Sequence, residues 1–174
     1  MNRLTAMLAL VGLLFFQACT GPEGPVGPQG PEGLPGINIL GSTYEVEVDF
    51  TAANEYEGLF TLPTPAEQSD VALVYVLWEV DNQTPIWRAL PQTVFFQEGV
   101  LMYNFDFTRF DVRMFLDGPI DYSILGPEWT RDQLFRIVIV PSDFASNRID
   151  WTDYEAVTKM LGIKDSDFQK IKLN

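Results

Sequence analysis

From Ile39 to the C-terminus, apolar positions recur with a period of two. Tyr44, Val46, Val48 and Phe50 alternate with Glu45, Glu47, Asp49 and Thr51. Successive side chains on a strand point to opposite faces, so this segment predicts a strand with one buried and one wet face. Leu59–Leu62 is a shorter candidate, closed by Pro63 and Pro65. Val71–Val80 is apolar on both faces, which predicts a central strand of a layered structure. Asp81-Asn82-Gln83-Thr84-Pro85 is a turn cluster ahead of a strand over Ile86–Leu90. Thr93–Gln97 and Val100–Thr108 flank Glu98-Gly99, the pattern of a hairpin. Leu101, Tyr103, Phe105 and Phe107 share one face of its second strand. Asp111–Leu116 follows and ends at the turn Asp117-Gly118-Pro119. Phe135–Val140, stopped by Pro141, is the last strong strand. Seven to eight short strands separated by turns predict a mostly β domain, an antiparallel β-sandwich or a partly open barrel.

The period changes once. Tyr154, Val157, Met160 and Leu161 form a stripe at helical spacing. Thr152 and Glu155 stand at the spacing of a capping box, and Gly162 sits where a helix C-cap belongs. One C-terminal α-helix is expected here, with the tail from Ile163 to Asn174 forming a short helix or an edge strand.

The first 38 residues carry neither period. Met1-Asn2-Arg3 is positively charged, and Leu4–Phe16 is an apolar run of the length of an export-signal core. It is too short to span a bilayer comfortably. The only cysteine, Cys19, follows Ala18. Six triplets beginning with glycine come next, at Gly21, Gly24, Gly27, Gly30, Gly33 and Gly36. Proline follows the first four of these glycines and also occupies Pro35. Glycine at every third place is what the crowded axis of a collagen triple helix requires, and proline pre-sets its extended backbone. The run is expected to act as a single-chain, semi-rigid spacer of roughly 50 Å, at about 3.1 Å per residue. Trimerisation through the triplets is the alternative. Three parallel copies would crowd Glu23 and Glu32 with no nearby lysine or arginine, so a monomer is expected. The expected division is an export signal over 1–18, Cys19 and the spacer over 19–38, and a globular domain over 39–174.

The run Phe16-Gln17-Ala18-Cys19 resembles the end of a bacterial lipoprotein signal. In that family a small residue precedes an invariant cysteine, whose thiol is lipidated and whose new amino group is acylated after cleavage. Ala18 and Cys19 match this pattern, while Phe16 and Gln17 depart from the usual leucine and small residue. The resemblance implies lipidation at Cys19. It also implies transfer to the outer membrane, because Thr20 stands where an Asp commonly retains such proteins at the inner one. An ordinary secretory signal with a free cysteine, and an uncleaved anchor, are the competing readings. Lipobox, short Gly-Pro-x run and acidic β domain together resemble small collagen-like lipoproteins of Gram-negative bacteria. That resemblance implies a place in the cell envelope and carries no common activity.

Composition narrows the chemistry. Apolar residues make up 47% of the 174 and aromatics 13%, enough for one core in a domain of about 136 residues. The formal charge is −13. All 24 acids and all but one of the 11 bases follow Cys19, so the mature chain carries −14. Such a surface repels phosphate backbones, which argues against nucleic acid as a partner. Histidine is absent, and with it the commonest general base and metal ligand. A single cysteine allows no intramolecular disulfide and no thiolate zinc cluster. Ser-His-Asp and Cys-His catalysis are excluded. No catalytic or cofactor motif stands out.

Two residue types remain. Asp106, Asp111, Asp117 and Asp121 are either a calcium site or a solvated sheet face, since calcium needs several converging oxygens. Of the four tryptophans, Trp78 lies in the most apolar strand and reads as core. Trp87, near a turn, and Trp129, after Gly126-Pro127-Glu128, are candidates to stack on a ligand such as a sugar ring. The expected protein is a lipid-anchored, non-catalytic envelope protein whose β domain binds a partner protein or ligand or serves a structural role. A glycan-binding module and a calcium-dependent adhesion domain are the alternatives.

Overall fold

The computed structural model describes residues 43–144 and 149–173. The expected export signal, Cys19 and the glycine triplets lie outside the described residues. The chain divides between Pro35 and Gly36, and every described residue belongs to the second unit.

The strands form where the period of two places them. They are β1 (Thr43–Val48), β2 (Glu57–Thr61), β3 (Val71–Asp81), β4 (Thr84–Ala89), β5 (Gln92–Phe95), β6 (Val100–Phe107), β7 (Asp111–Asp117), β8 (Gln133–Val140) and β9 (Gln169–Lys172). Among the described residues two α-helices accompany them, the single turn α1 (Pro127–Thr130) and α2 (Tyr154–Leu161). The strands make two sheets. Sheet A has the order β4-β3-β8-β1-β9 and sheet B the order β2-β7-β6-β5. Every pairing is antiparallel except β1 with β9, which is parallel.

The core between the sheets follows from alternation. Tyr44, Val46 and Val48 of β1, Ala72, Val74 and Val76 of β3, and Phe135, Ile137 and Ile139 of β8 face inward from sheet A. Phe60, Leu101, Tyr103, Val112, Met114 and Leu116 meet them from sheet B. Most intervening positions of β3 and β8 are apolar as well, with Arg136 the buried charged exception in β8, because sheet A is covered on its other face too. Tyr75, Val138 and Val140 pack there against Val157 and Leu161 of α2 and Phe168 of the tail. The domain is a two-sheet sandwich with a third, partial layer.

That layer changes the expected role of β1. Glu45 was expected on a wet face but is buried, opposite Arg136 across the β1–β8 ladder. The tail makes both a 3-10 turn at Asp165–Asp167 and the edge strand β9. It is tied down by the Thr43 hydroxyl donating to the Asp167 carbonyl (2.9 Å) and by the Leu173 N–H donating to the Glu47 carbonyl (2.9 Å).

Two turns are tighter than their sequence clusters. Only Asn82 and Gln83 separate β3 from β4, both at positive φ (46° and 69°), as a two-residue hairpin loop requires. At Asp117-Gly118-Pro119 the backbone has φ 115° at Gly118, and a Cβ there would lie 2.2 Å from the Val100 carbonyl oxygen. Only glycine fits.

Candidate functional site

Trp129 sits on α1, which closes one end of the sandwich. Gly126 precedes the helix and Pro127 opens it, where a missing N–H costs nothing. The turn is fastened to both sheets. The Tyr103 hydroxyl of β6 donates to the Trp129 carbonyl (2.6 Å), and the Phe50 N–H donates to the Thr130 carbonyl (2.7 Å). The Gln133 side-chain amide donates to the carbonyls of Glu128 (3.1 Å) and Arg131 (2.7 Å). Burial pushes the Tyr103 phenol well above the ordinary tyrosine value, and the Glu128 charge adds to the shift. Tyr103 is therefore a fixed neutral donor that holds the loop.

The indole of Trp129 is half-buried and held edge-on by two neighbours. Its ring is T-shaped to Trp78 of β3 (centroids 6.5 Å apart) and to Phe96, just beyond β5 (5.3 Å). Such geometry is the favoured one for aromatic pairs. The ring thereby lines two adjacent surface clefts. One, of about 160 Å³, also has Trp78, Tyr103, Asp132 and Gln133 in its walls. The other, of about 210 Å³, is walled by Phe96, Glu98, Ile124 and Leu125. Glu128 lines both. Each is smaller than a site for a drug-sized molecule, about 300–1,000 Å³. Together they make a divided groove with an aromatic rib.

Trp87 lies elsewhere. It faces the outer side of sheet A, packed with α2 and the tail. The Arg136 guanidinium stacks on its ring at 4.3 Å, and on Phe168 at 4.3 Å and Tyr154 at 5.5 Å. The same guanidinium donates to Glu45 (3.0 Å), Asp165 (2.7 Å) and the Tyr154 hydroxyl. Burial pushes the Arg136 pKa down, but hydrogen bonds to Asp165, Tyr154 and Glu45 outweigh it and leave the group above its ordinary value. This cage joins β8, β1, β4, α2 and the tail, and all its polar arms on Arg136 are engaged. The Trp87 Nε1–H is buried with no hydrogen-bond partner among the described residues.

The four aspartates do not converge. Asp106 pairs with Arg113, Asp111 accepts from the Thr108 hydroxyl (2.6 Å), Asp117 accepts from the Gly118 N–H (2.7 Å), and Asp121 caps the 3-10 turn Tyr122–Ile124 through Ser123 (2.9 Å). Among the described residues, no three His, Cys, Asp or Glu side chains are placed to hold a metal ion. Nor is any described helix long and apolar enough to cross a membrane.

Of the two tryptophans singled out in the sequence, the groove contains Trp129 and the cage contains Trp87. Glu98, Glu128, Asp132 and Gln133 gave no sequence signal of their own. Glu98 reads only as a hairpin residue, and the fold brings that hairpin beside α1.

No protein-family profile, curated protein or solved structure matches this chain.

Proposed function

We propose that this is a lipid-anchored envelope protein of the outer membrane that binds a glycan, without catalysis, in the groove divided by Trp129. Cys19 carries the anchor, and the glycine triplets hold the β domain away from the membrane. The observation that supports glycan binding is the pair of open clefts sharing Trp129 and Glu128. A sugar ring has an apolar face for stacking and hydroxyls for carboxylate and amide acceptors. Two small clefts side by side suit successive units of a chain rather than one compact ligand.

The outer face of sheet B argues against a protein partner docking there. Its most exposed apolar residues, Leu59 (55%) and Phe95 (80%), lie on opposite edge strands. Between them Arg113 pairs with Asp106 and Glu57. Scattered apolar residues of this kind are ordinary for a surface, whereas a docking patch is continuous.

Cys19→Ala should move the protein from the membrane fraction to the soluble fraction, because several acyl chains anchor far more durably than one. A variant that remains membrane-bound contradicts the anchor. Soluble glycans should perturb the tryptophan fluorescence of the parent protein, and Trp129→Ala should weaken their binding by about tenfold or more, equivalent to about 1.4 kcal/mol. Equal binding by Trp129→Ala, with the fold intact by circular dichroism, contradicts the groove.

A further inference from the structure

The polar inventory of the groove is one-sided, and we propose that its ligand is an amine-bearing glycan, a chain of sugar units carrying protonated amino groups. This deepens the glycan reading of the Trp129 groove and rests on it. Glu98 and Glu128 line the larger cleft beside the Trp129 ring, and neither carboxylate hydrogen-bonds or pairs with a cation among the described residues. Several surface acids elsewhere do have partners: Asp106 and Glu57 share Arg113, Asp49 pairs with Arg131 (3.4 Å), and Glu47 pairs with Lys172.

No basic residue lines either cleft. Arg88 lies against the Trp78 ring at 4.3 Å, Arg131 is engaged by Asp49, and Lys172 reaches Asp132 (3.4 Å) as well as Glu47. The Gln133 amide N–H groups are already donated to two carbonyls. The groove thus offers carboxylate acceptors and aromatic surface. An ammonium beside a sugar ring meets both, since a cation is attracted to a carboxylate and to the face of an indole. An acidic glycan meets uncompensated like charge. The mature charge of −14 extends the same preference outward by drawing cationic chains toward the surface.

The test uses the full-length protein in neutral detergent micelles and isothermal calorimetry with three probes: a glucosamine hexamer, an N-acetylglucosamine hexamer and hexalysine. At low salt the glucosamine hexamer should bind about tenfold tighter than its N-acetylated counterpart, and the ratio should shrink with added salt. In the double variant Glu98→Gln, Glu128→Gln the two hexamers should bind within about threefold of each other. Both glutamates are exposed, so this variant should fold as the parent does. Trp129→Ala should weaken both. Equal affinity of the parent for the two hexamers overturns amine selection and leaves the glycan reading standing. Binding of neither hexamer overturns both. Hexalysine binding as tightly as the glucosamine hexamer also overturns the inference, because the site would then read charge without the sugar.

Discussion

Arg136 concentrates the energetics of the domain in one side chain. It is 7% exposed, as Glu45 is 9%, whereas Asp165, its other carboxylate partner, is 78% exposed. Removing one member of a buried pair leaves an uncompensated charge and costs about 3–5 kcal/mol. Breaking a pair whose partner is in water costs about 0–1 kcal/mol. Arg136→Ala is therefore expected to lower the urea unfolding free energy by about 3–5 kcal/mol, and Asp165→Asn by less than about 1 kcal/mol. Lys170, 3.4 Å from Glu45, is itself 79% exposed and screens the orphaned glutamate only weakly. Similar losses in the two variants would show that the cage is held together from its solvent side. The pair was partly legible: an arginine inside the apolar run Phe135–Val140 needs a buried counter-charge, and Glu45 supplies it. What hid it was the layer above, since alternation alone assigned Glu45 to water.

At the scale of elements, the helix shows how local and tertiary signals divide. The stripe Tyr154, Val157, Met160 and Leu161 and the C-cap at Gly162 (φ 69°) were readable from spacing. The N-cap was not the expected one. Asp153, not Thr152, caps α2, accepting from the Ala156 N–H at 3.0 Å. Thr152 instead turns its hydroxyl to Asp150 (2.6 Å). Both residues are good cappers, and the asparagine-like turn started by Asp150 takes Thr152 out of competition. Asp153→Ala should cost about 0.5–2 kcal/mol, while Thr152→Ala, a surface change, should stay within about 0.5 kcal/mol. Thermal melts of the two variants check this, and a reversed order would restore Thr152 as the cap. Strand β9 was legible only as one of two options, because its parallel seat beside β1 depends on residues 120 or more positions away. No local pattern carries that pairing.

At the scale of the molecule, strand positions and the β class were legible because period-two alternation is a local property. The division into two sheets was not, since it depends on which edges meet. The third layer left a trace that could have been read further: β3 and, Arg136 apart, the inner part of β8 are apolar on both faces, and a sandwich of two layers needs only one. The groove is legible in part. Trp129 stands out beside Gly126-Pro127, but its neighbours Phe96 and Glu98 come from a hairpin of the other sheet. The four tryptophans give the most direct test of the proposed binding groove, because each contributes one indole N–H signal in a nitrogen-labelled protein. Titration of the full-length protein in micelles with the glucosamine hexamer should shift the Trp129 signal first and the Trp78 signal with it. The Trp87 and Trp151 signals, on the far side of sheet A, should stay in place. Movement of the Trp87 signal with Trp129 unmoved, or saturating binding that shifts neither Trp129 nor Trp78, would contradict the groove as the binding site.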